Sequence, residues 1–256
     1  MNRIPRYFKH PAIPLSLLFG LAGLLLVTFP LAACDGMKKQ PLTCRYQMET
    51  QLPADTVVKR EEQTDTIRLL KGNNLSATLE SDPHFRELQS GSQAEDIALA
   101  FICAHHQLFR LTAPSDELVV ASVTSDDLGL THVKFSQVSN GIPVWASEII
   151  VHLDRENNVY LVQGRYNPTP AHVNSRPRLS APEAERIAAG NMGKPECPYC
   201  RTDKIIYPQP GAAAALAWRV EASAGRGESW TFIIHAETGA VLEKLSAVHT
   251  GRPPGM

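Results

Sequence analysis

A chain of 256 residues with a formal net charge of −1 has room for one or two domains. It contains no cluster of basic residues, which argues against nucleic-acid binding. No period of 20–50 residues stands out in the sequence, so a solenoid is excluded as well.

The N-terminus has the pattern of an export signal. Arg3, Arg6 and Lys9 precede a stretch from Pro14 to Ala33 that carries no charge. A basic segment followed by an apolar one that ends in small residues is typical of a secretory signal peptide. The stretch is also about long enough to span a bilayer, so an uncleaved membrane anchor is the alternative.

The end of this stretch, Leu31-Ala32-Ala33-Cys34, resembles the lipobox of bacterial lipoproteins. The resemblance implies that residues 1–33 are removed, that lipid is attached to the Cys34 sulfur, and that the new amino group is acylated. Several acyl chains give lasting attachment where one is marginal. Asp35 follows the cysteine, and in enteric bacteria this implies retention at the inner membrane. We expect a lipid-anchored protein of the bacterial envelope, on the periplasmic face of the inner membrane.

Four cysteines are left after lipidation: Cys44, Cys103, Cys197 and Cys200. An even number in an oxidising compartment permits disulfides, and the sequence alone leaves three pairings open. We favour Cys197–Cys200 first and Cys44–Cys103 second.

The segment 34–62 is polar and without sustained periodicity, which predicts a flexible tether. Order is expected from about Thr64, with a short strand over Thr66–Leu70. Ser92-Gln93-Ala94-Glu95 then has the pattern of a capping box, in which serine and glutamate satisfy each other's free amides. Apolar residues at helical spacing follow and predict a helix over about 93–108.

The next segment alternates between apolar and polar residues and predicts a meander of antiparallel strands. Asn140-Gly141 is the dipeptide that best tolerates positive φ in a tight hairpin. In chain order we expect a strand at Leu118–Val123, a turn at Asp126, Asp127 and Gly129, a strand around Val133 and Phe135, the Asn140-Gly141 hairpin, a strand at Val144–Leu153, a turn at Asn157-Asn158 and a strand at Val159–Gly164.

A linker with Pro168, Pro170 and Pro177 leads to a second half with the same plan. Ser180-Ala181-Pro182-Glu183 predicts a capped helix that ends at Gly190. Four strands should follow, at Lys204–Tyr207, Leu216–Val220, Trp230–Ile234 and Val241–Leu245. The pattern predicts an α+β protein with two helix-on-antiparallel-sheet subdomains in tandem after the lipoprotein signal.

The stretch from Leu130 to Leu153 resembles the fungalysin/thermolysin propeptide motif. The positions that carry the resemblance are Thr131, His132, Gln137, Gly141, Pro143 and Val144. The second half resembles a PepSY domain through its capped helix, the Trp218-Arg219-Val220 strand and Ala236-Glu237-Thr238-Gly239. His235 stands where that family usually has aspartate. The resemblance divides the chain into a propeptide-like subdomain at 63–170, a PepSY-like subdomain at 171–250 and a disordered tail at 251–256.

In thermolysin-like enzymes such a unit is the propeptide, which the resemblance implies assists folding of the peptidase and blocks its cleft. The sequence contains no His-Glu-x-x-His, the motif that places two zinc ligands and a general base on one helix. We therefore expect a non-enzymatic protein that binds a thermolysin-like peptidase and needs no cofactor or small-molecule ligand. The alternatives are an envelope adaptor that binds another protein and a functionless remnant of a peptidase precursor.

Two other patterns have chemical potential. Cys197-Pro198-Tyr199-Cys200 is glutaredoxin-like, but it follows a helix and precedes a strand, whereas a redox motif opens a helix. A structural disulfide is the favoured interpretation, ahead of redox activity and metal binding. His132, His152 and His235 lie on different predicted strands, where surface positions are favoured over a cluster. Core positions are expected for Trp145, Trp218 and Trp230, and the alternative for Trp145 is an exposed position that anchors a partner.

Overall fold

The computed structural model describes residue 44 and residues 51–168, 173–197, 199–209, 212–225 and 228–246. The expected signal peptide, Cys34 and the tail at 251–256 lie outside these residues. Within the described ranges, no helix combines the length and hydrophobicity needed to cross a bilayer.

The described residues form four helices and ten strands, with one short 3-10 helix at Ala77–Leu79. The helices are α1 (Pro83–Gly91), α2 (Ala94–Ala104), α3 (Pro114–Glu117) and α4 (Ala181–Asn191). The strands are β1 (Val57–Arg60), β2 (Ile67–Lys71), β3 (Leu118–Ser125), β4 (Thr131–Ser139), β5 (Ile142–Leu153), β6 (Val159–Arg165), β7 (Tyr199–Tyr207), β8 (Ala215–Gly225), β9 (Glu228–His235) and β10 (Val241–Ser246). The α+β class expected from the sequence is confirmed.

All ten strands belong to one hydrogen-bonded sheet. The first half has the order β1-β2-β6-β5-β4-β3 and the second half β7-β8-β9-β10, with antiparallel pairing throughout both. The two halves meet where β5 pairs with β7 in parallel, at Val144 and Ile206. The two subdomains thus share a continuous sheet.

The core of the first half is built from large side chains. Four phenylalanines are fully buried, two from the helical side and one each from a loop and a strand: Phe85, Phe101, Phe109 and Phe135. Helix α2 buries seven of its eleven residues, and six of them belong to this core. Strands β4 and β5 contribute alternate positions, since successive side chains of a strand point to opposite faces.

The core of the second half is thinner. Helix α4 contributes Ala184 and Ala188, which pack against Val220, Phe232 and Ile234. Its N-terminus forms the expected capping box, because the Glu183 carboxylate accepts the Ser180 backbone N–H at 2.8 Å and its hydroxyl at 2.6 Å.

The helix ends later than the sequence predicted. Gly190 lies inside α4, and Gly193 adopts φ +70° beyond its end. The Gly193 N–H donates to the Gly190 carbonyl and the Lys194 N–H to the Ala189 carbonyl, which is the Schellman arrangement. The helix therefore ends before Gly193, whose positive φ allows these two hydrogen bonds, and not at the first glycine in the sequence.

The predicted capping box at Ser92 is wrong. Gln93 is the N-cap of α2, and Ser92 instead ends a separate helix, α1, with its N–H on the Leu88 carbonyl. Helix α1 has its own start signal, Asp82 followed by Pro83 at the first helical position. The Asp82 carboxylate accepts the N–H groups of the next turn, as an N-cap does. That Asp-Pro pair could have predicted the helix.

The boundary of the expected tether is also wrong. Strand β1, at Val57–Arg60, lies within the segment 34–62 and pairs with β2. Every residue of β1 is exposed, so hydrophobic periodicity does not reveal it. Farther upstream, Cys44 is joined by a disulfide to Cys103 of α2. The second disulfide joins Cys197 to Cys200 at the start of β7.

Candidate functional site

The motif residues form the β4–β5 hairpin. Thr131, His132 and Gln137 lie on β4, and Pro143 and Val144 lie at the start of β5. The turn between the strands is Asn140-Gly141, with φ values of +50° and +74°. Positive φ at both central residues matches the twist of a two-residue hairpin, as the sequence predicted.

Gln137 holds the backbone in place where the chain leaves the first half of the sheet. Its buried side chain accepts the Asn167 N–H at 3.0 Å and donates to the Asn167 carbonyl at 2.8 Å. The Asn167 side chain in turn donates to the Ser147 hydroxyl at 2.9 Å. One glutamine thus satisfies both backbone groups of a residue just past β6, where the sheet ladder has ended.

The same hairpin contains the bend that joins the two halves. Ala146 adopts φ +51° in the middle of β5, which is uncommon for a residue with a Cβ. The buried positions switch there from even numbers, Ile142 and Val144, to odd numbers, Ser147 and Ile149. β5 therefore pairs with β7 before the bend and with β6 after it, so the motif connects the two halves of the sheet.

Two of the three candidate histidines come together. His132 on β4 lies directly opposite His152 on β5. Their Nδ1 atoms are 2.7 Å apart and their ring centroids 4.7 Å apart. On its other side, His132 Nε2 lies 3.3 Å from Asp126 Oδ2. The order Asp126–His132–His152 was not foreseen, because it depends on strand register and on the β3–β4 turn.

Burial shapes the electrostatics of this cluster. It lowers the pKa of His152 to about 4, and the neighbouring charge of His132 acts in the same direction. The pKa of Asp126 is lowered, chiefly because its carboxylate accepts the Leu130 backbone N–H. Burial raises the pKa of Tyr160, whose ring centroid lies 6.0 Å from that of His152.

His235 lies apart from this pair and has a structural role. Its Nδ1 accepts the backbone N–H groups of Glu237 and Thr238, at 3.1 and 3.3 Å. An aspartate at this position could accept the same amides from a turn. Histidine therefore supplies the acceptor that the PepSY resemblance would place on a carboxylate.

Strand β3 forms an edge of the sheet. It pairs with β4, and no other described strand pairs with its free side. Val119, Val120 and Val123 are 53%, 42% and 42% exposed, and the strand Leu118–Ser125 has no charged residue and no proline. Charged residues and proline, two of the usual devices that block pairing with another chain, are therefore missing from this edge, although its register with β4 shifts between Val120 and Ser122.

Trp145 does not form an exposed anchor. It is half-buried and packs on a cluster made of Ile205, Ala217 and Ile233. The Arg219 guanidinium carbon lies 5.8 Å from its ring centroid. Cys197 lies between α4 and β7 and Cys200 is the second residue of β7, in the helix-then-strand order that the sequence predicted.

Residues 116–166 match the Fungalysin/Thermolysin Propeptide Motif, and this range contains β3 to β6. The chain is similar to Bacillolysin of Bacillus amyloliquefaciens, with 29% identity over 170 residues, covering 56% of this chain and 29% of the relative. It is also similar to the thermostable neutral protease NprT of Geobacillus stearothermophilus, with 28% identity over 185 residues, covering 66% of this chain and 33% of the relative.

Among solved structures, the Bacillus megaterium YpeB C-terminal domain matches with 12% identity and a TM-score of 0.36, covering 75% of this chain and 81% of that one. The chain spans about a third of the length of the curated relatives it matches. Its β3–β6 meander is therefore a propeptide-like segment of the type named for fungalysins and thermolysins.

Proposed function

We propose that this protein is a propeptide-like module that binds a thermolysin-like metallopeptidase and inhibits it or assists its folding. The supporting observation is the motif match at residues 116–166, and the six positions that carry the resemblance lie in the β4–β5 hairpin of this range. The sequence contains no His-Glu-x-x-His, the motif that places two zinc ligands and a general base on one helix, so the proposal assigns the zinc centre to the peptidase partner. We further propose that residues 171–250 are PepSY-like, which the acceptor role of His235 supports.

The edge strand β3 is the surface that we assign to the peptidase. It lies inside the matched range, and its free backbone groups and exposed valines suit a strand supplied by a partner. Strand addition gives affinity through main-chain hydrogen bonds and specificity through alternate side chains.

The test is to mix the full chain, purified in detergent, with a purified thermolysin-like peptidase. Peptide hydrolysis and complex formation on a sizing column are measured. We expect a stable complex and reduced hydrolysis, and refolding of the denatured peptidase in its presence tests the folding role. If the peptidase neither binds nor changes in activity or refolding yield, the proposed function is overturned.

A pair of matched variants tests the surface. Val120→Lys places a charge on the β3 edge and should weaken the complex at least tenfold. Val57→Lys is the control, because Val57 is 50% exposed on β1, another edge strand, and lies outside the matched range. If the two variants bind the peptidase with equal affinity, the peptidase does not contact β3. Capture of a different envelope protein in place of a peptidase would favour the adaptor alternative.

We also propose attachment to the envelope through lipidated Cys34, with the stretch before β1 as the spacer. The lipobox resemblance of Leu31–Cys34 supports this. Bacteria expressing the protein are labelled with a palmitate analogue, and Cys34→Ala should abolish incorporation. Cys44→Ala should keep it, since Cys44 is bonded to Cys103. Labelling of the Cys34→Ala variant would contradict the proposal.

A further inference from the structure

The histidine pair described above has a feature that the propeptide interpretation does not use. His132 and His152 are direct cross-strand neighbours, and their Nδ1 atoms point at one another across 2.7 Å. As a hydrogen bond, this contact needs one proton between two nitrogen atoms. The same two lone pairs can be shared by a metal ion, for which neutral imidazole is a common ligand.

The distance between the two Nδ1 atoms suits the replacement of the shared proton by a metal ion. Two nitrogens bound to one zinc ion at about 2.0–2.1 Å lie roughly 3.0–3.4 Å apart, depending on the bond angle. The observed separation of 2.7 Å must therefore open by roughly 0.3–0.7 Å. The His152 ring can make this adjustment, because its buried Nε2 has no hydrogen-bond partner within the described residues.

Asp126 supplies the outer part of such a site. With Nδ1 of His132 on the metal, Nε2 carries the proton and donates to the Asp126 carboxylate, which lies 3.3 Å away. Metal-bound histidines usually donate their second N–H to a carboxylate or a carbonyl, which fixes the tautomer and the ring orientation. The other Asp126 oxygen accepts the N–H groups of Leu128 and Leu130, so the carboxylate is held in place.

We propose that His132 and His152 bind one divalent cation of the zinc class through their Nδ1 atoms, with Asp126 as the residue that positions His132. Among the residues that the structure describes, no group of three or more histidine, cysteine or acidic side chains converges on one point. The site is therefore a two-ligand site that leaves the remaining coordination positions to water. It does not depend on any peptidase.

The experiment uses the full chain in detergent, purified without a histidine tag and freed of metal with a chelator. Zinc binding is measured by calorimetry. We expect one ion per chain at this site, and an affinity at least tenfold lower in His132→Gln and in His152→Gln. Asp126→Asn should lower the affinity about 10–100-fold, the usual effect of removing an outer-shell partner.

His84→Gln on α1 is the matched control and should bind zinc as the wild type does. A second measurement reads the ligands directly: bound Cu²⁺ should show hyperfine coupling to two nitrogens, reduced in either histidine variant. Circular dichroism shows that the variants are folded. Equal zinc affinity in the wild type and in folded His152→Gln, or no saturable binding by the wild type, would overturn the site and leave the contact a hydrogen bond only.

Discussion

The two halves of the sheet follow one plan with different amounts of core. In the first half, α2 buries Phe101 among other large side chains. In the second half, the residues that α4 buries in the cluster beneath it are small, Ala184 and Ala188, and its larger Ile187 is only partly buried there. Hydrophobic stabilisation scales with buried apolar area, so the same helix-on-sheet arrangement is held by unequal free energies.

The disulfides also favour the first half. The Cys44–Cys103 disulfide closes 59 residues of chain, whereas Cys197–Cys200 closes three. The first disulfide restrains a long segment against the large core, and the second pins one loop beside the small core. We therefore expect the first half to contribute the larger share of the free energy of unfolding.

Phe101→Ala should cause the largest loss. Removing a fully buried phenylalanine typically costs about 3–5 kcal/mol of the free energy of unfolding. Ala188→Gly, at a buried position of α4, should cost about 1 kcal/mol through helix propensity. Urea denaturation of both variants measures the difference. Equal losses would show that the second core is as important as the first.

The disulfides should rank next. By the chain-entropy relation, a loop of 59 residues corresponds to about 4 kcal/mol and one of three residues to about 2 kcal/mol. Thermal denaturation of Cys103→Ala and Cys200→Ala, each paired with alanine at its partner cysteine, compares them. The larger loss is expected for the Cys103 pair, and a larger loss for the Cys200 pair would refute the ranking.

Gln137→Leu tests the junction of the halves. It leaves the backbone N–H and carbonyl of Asn167 without their partner, which should cost about 2 kcal/mol. Gln163→Leu, on a half-buried position of neighbouring β6, should change stability by less than about 0.5 kcal/mol. Equal losses of stability in the two variants, measured by urea denaturation, would mean that the hydrogen bonds between Gln137 and Asn167 are not important.

Ala146→Gly should stabilise the protein slightly. Glycine tolerates φ +51° without the Cβ strain of alanine, and the gain of about 1 kcal/mol or less is offset in part by unfolded-state entropy. Ala98→Gly, in a buried turn of α2, should destabilise by about 1 kcal/mol. Thermal denaturation gives both signs, and a destabilised Ala146→Gly would argue against strain at the bend.

The smallest expected effect concerns acid stability at the start of α4. The pKa of Glu183 is lowered from 4.5 because its carboxylate accepts the Ser180 hydroxyl and N–H. A lowered folded-state pKa contributes stability above the unfolded-state value and loses it as the pH falls through the folded-state value. The difference in stability between Ser180→Ala and the wild type should therefore be largest above about pH 5 and become smaller as the pH falls through the Glu183 pKa.

Ser92→Ala is the control for that experiment, because Ser92 is the C-cap of α1 and not part of a capping box. It should show no such convergence in urea denaturation between pH 3 and pH 7. A parallel pH dependence of the two variants would remove Glu183 as the cause.

Much of the local structure in both halves could be predicted from local sequence. The Ser180 box, the hairpin at Asn140-Gly141 and the alternation of β5 each depend on residues within a few positions of one another. The misplaced start of α2 shows the limit of this approach. Ser92 has the residue types of a capping box, but Asp82-Pro83 begins an earlier helix that uses Ser92 as its end.

The sequence by itself determined the class of elements, their order and the resemblance carried by the β4–β5 hairpin, because turn chemistry and side-chain periodicity are local. Only the tertiary structure decided that β1 pairs with β2, that β5 bends at Ala146 to join the halves, and that His132 faces both His152 and Asp126. These contacts depend on strand register between segments 6–20 or more residues apart. A shift of one residue would move every side chain to the opposite face, and no single segment carries that information.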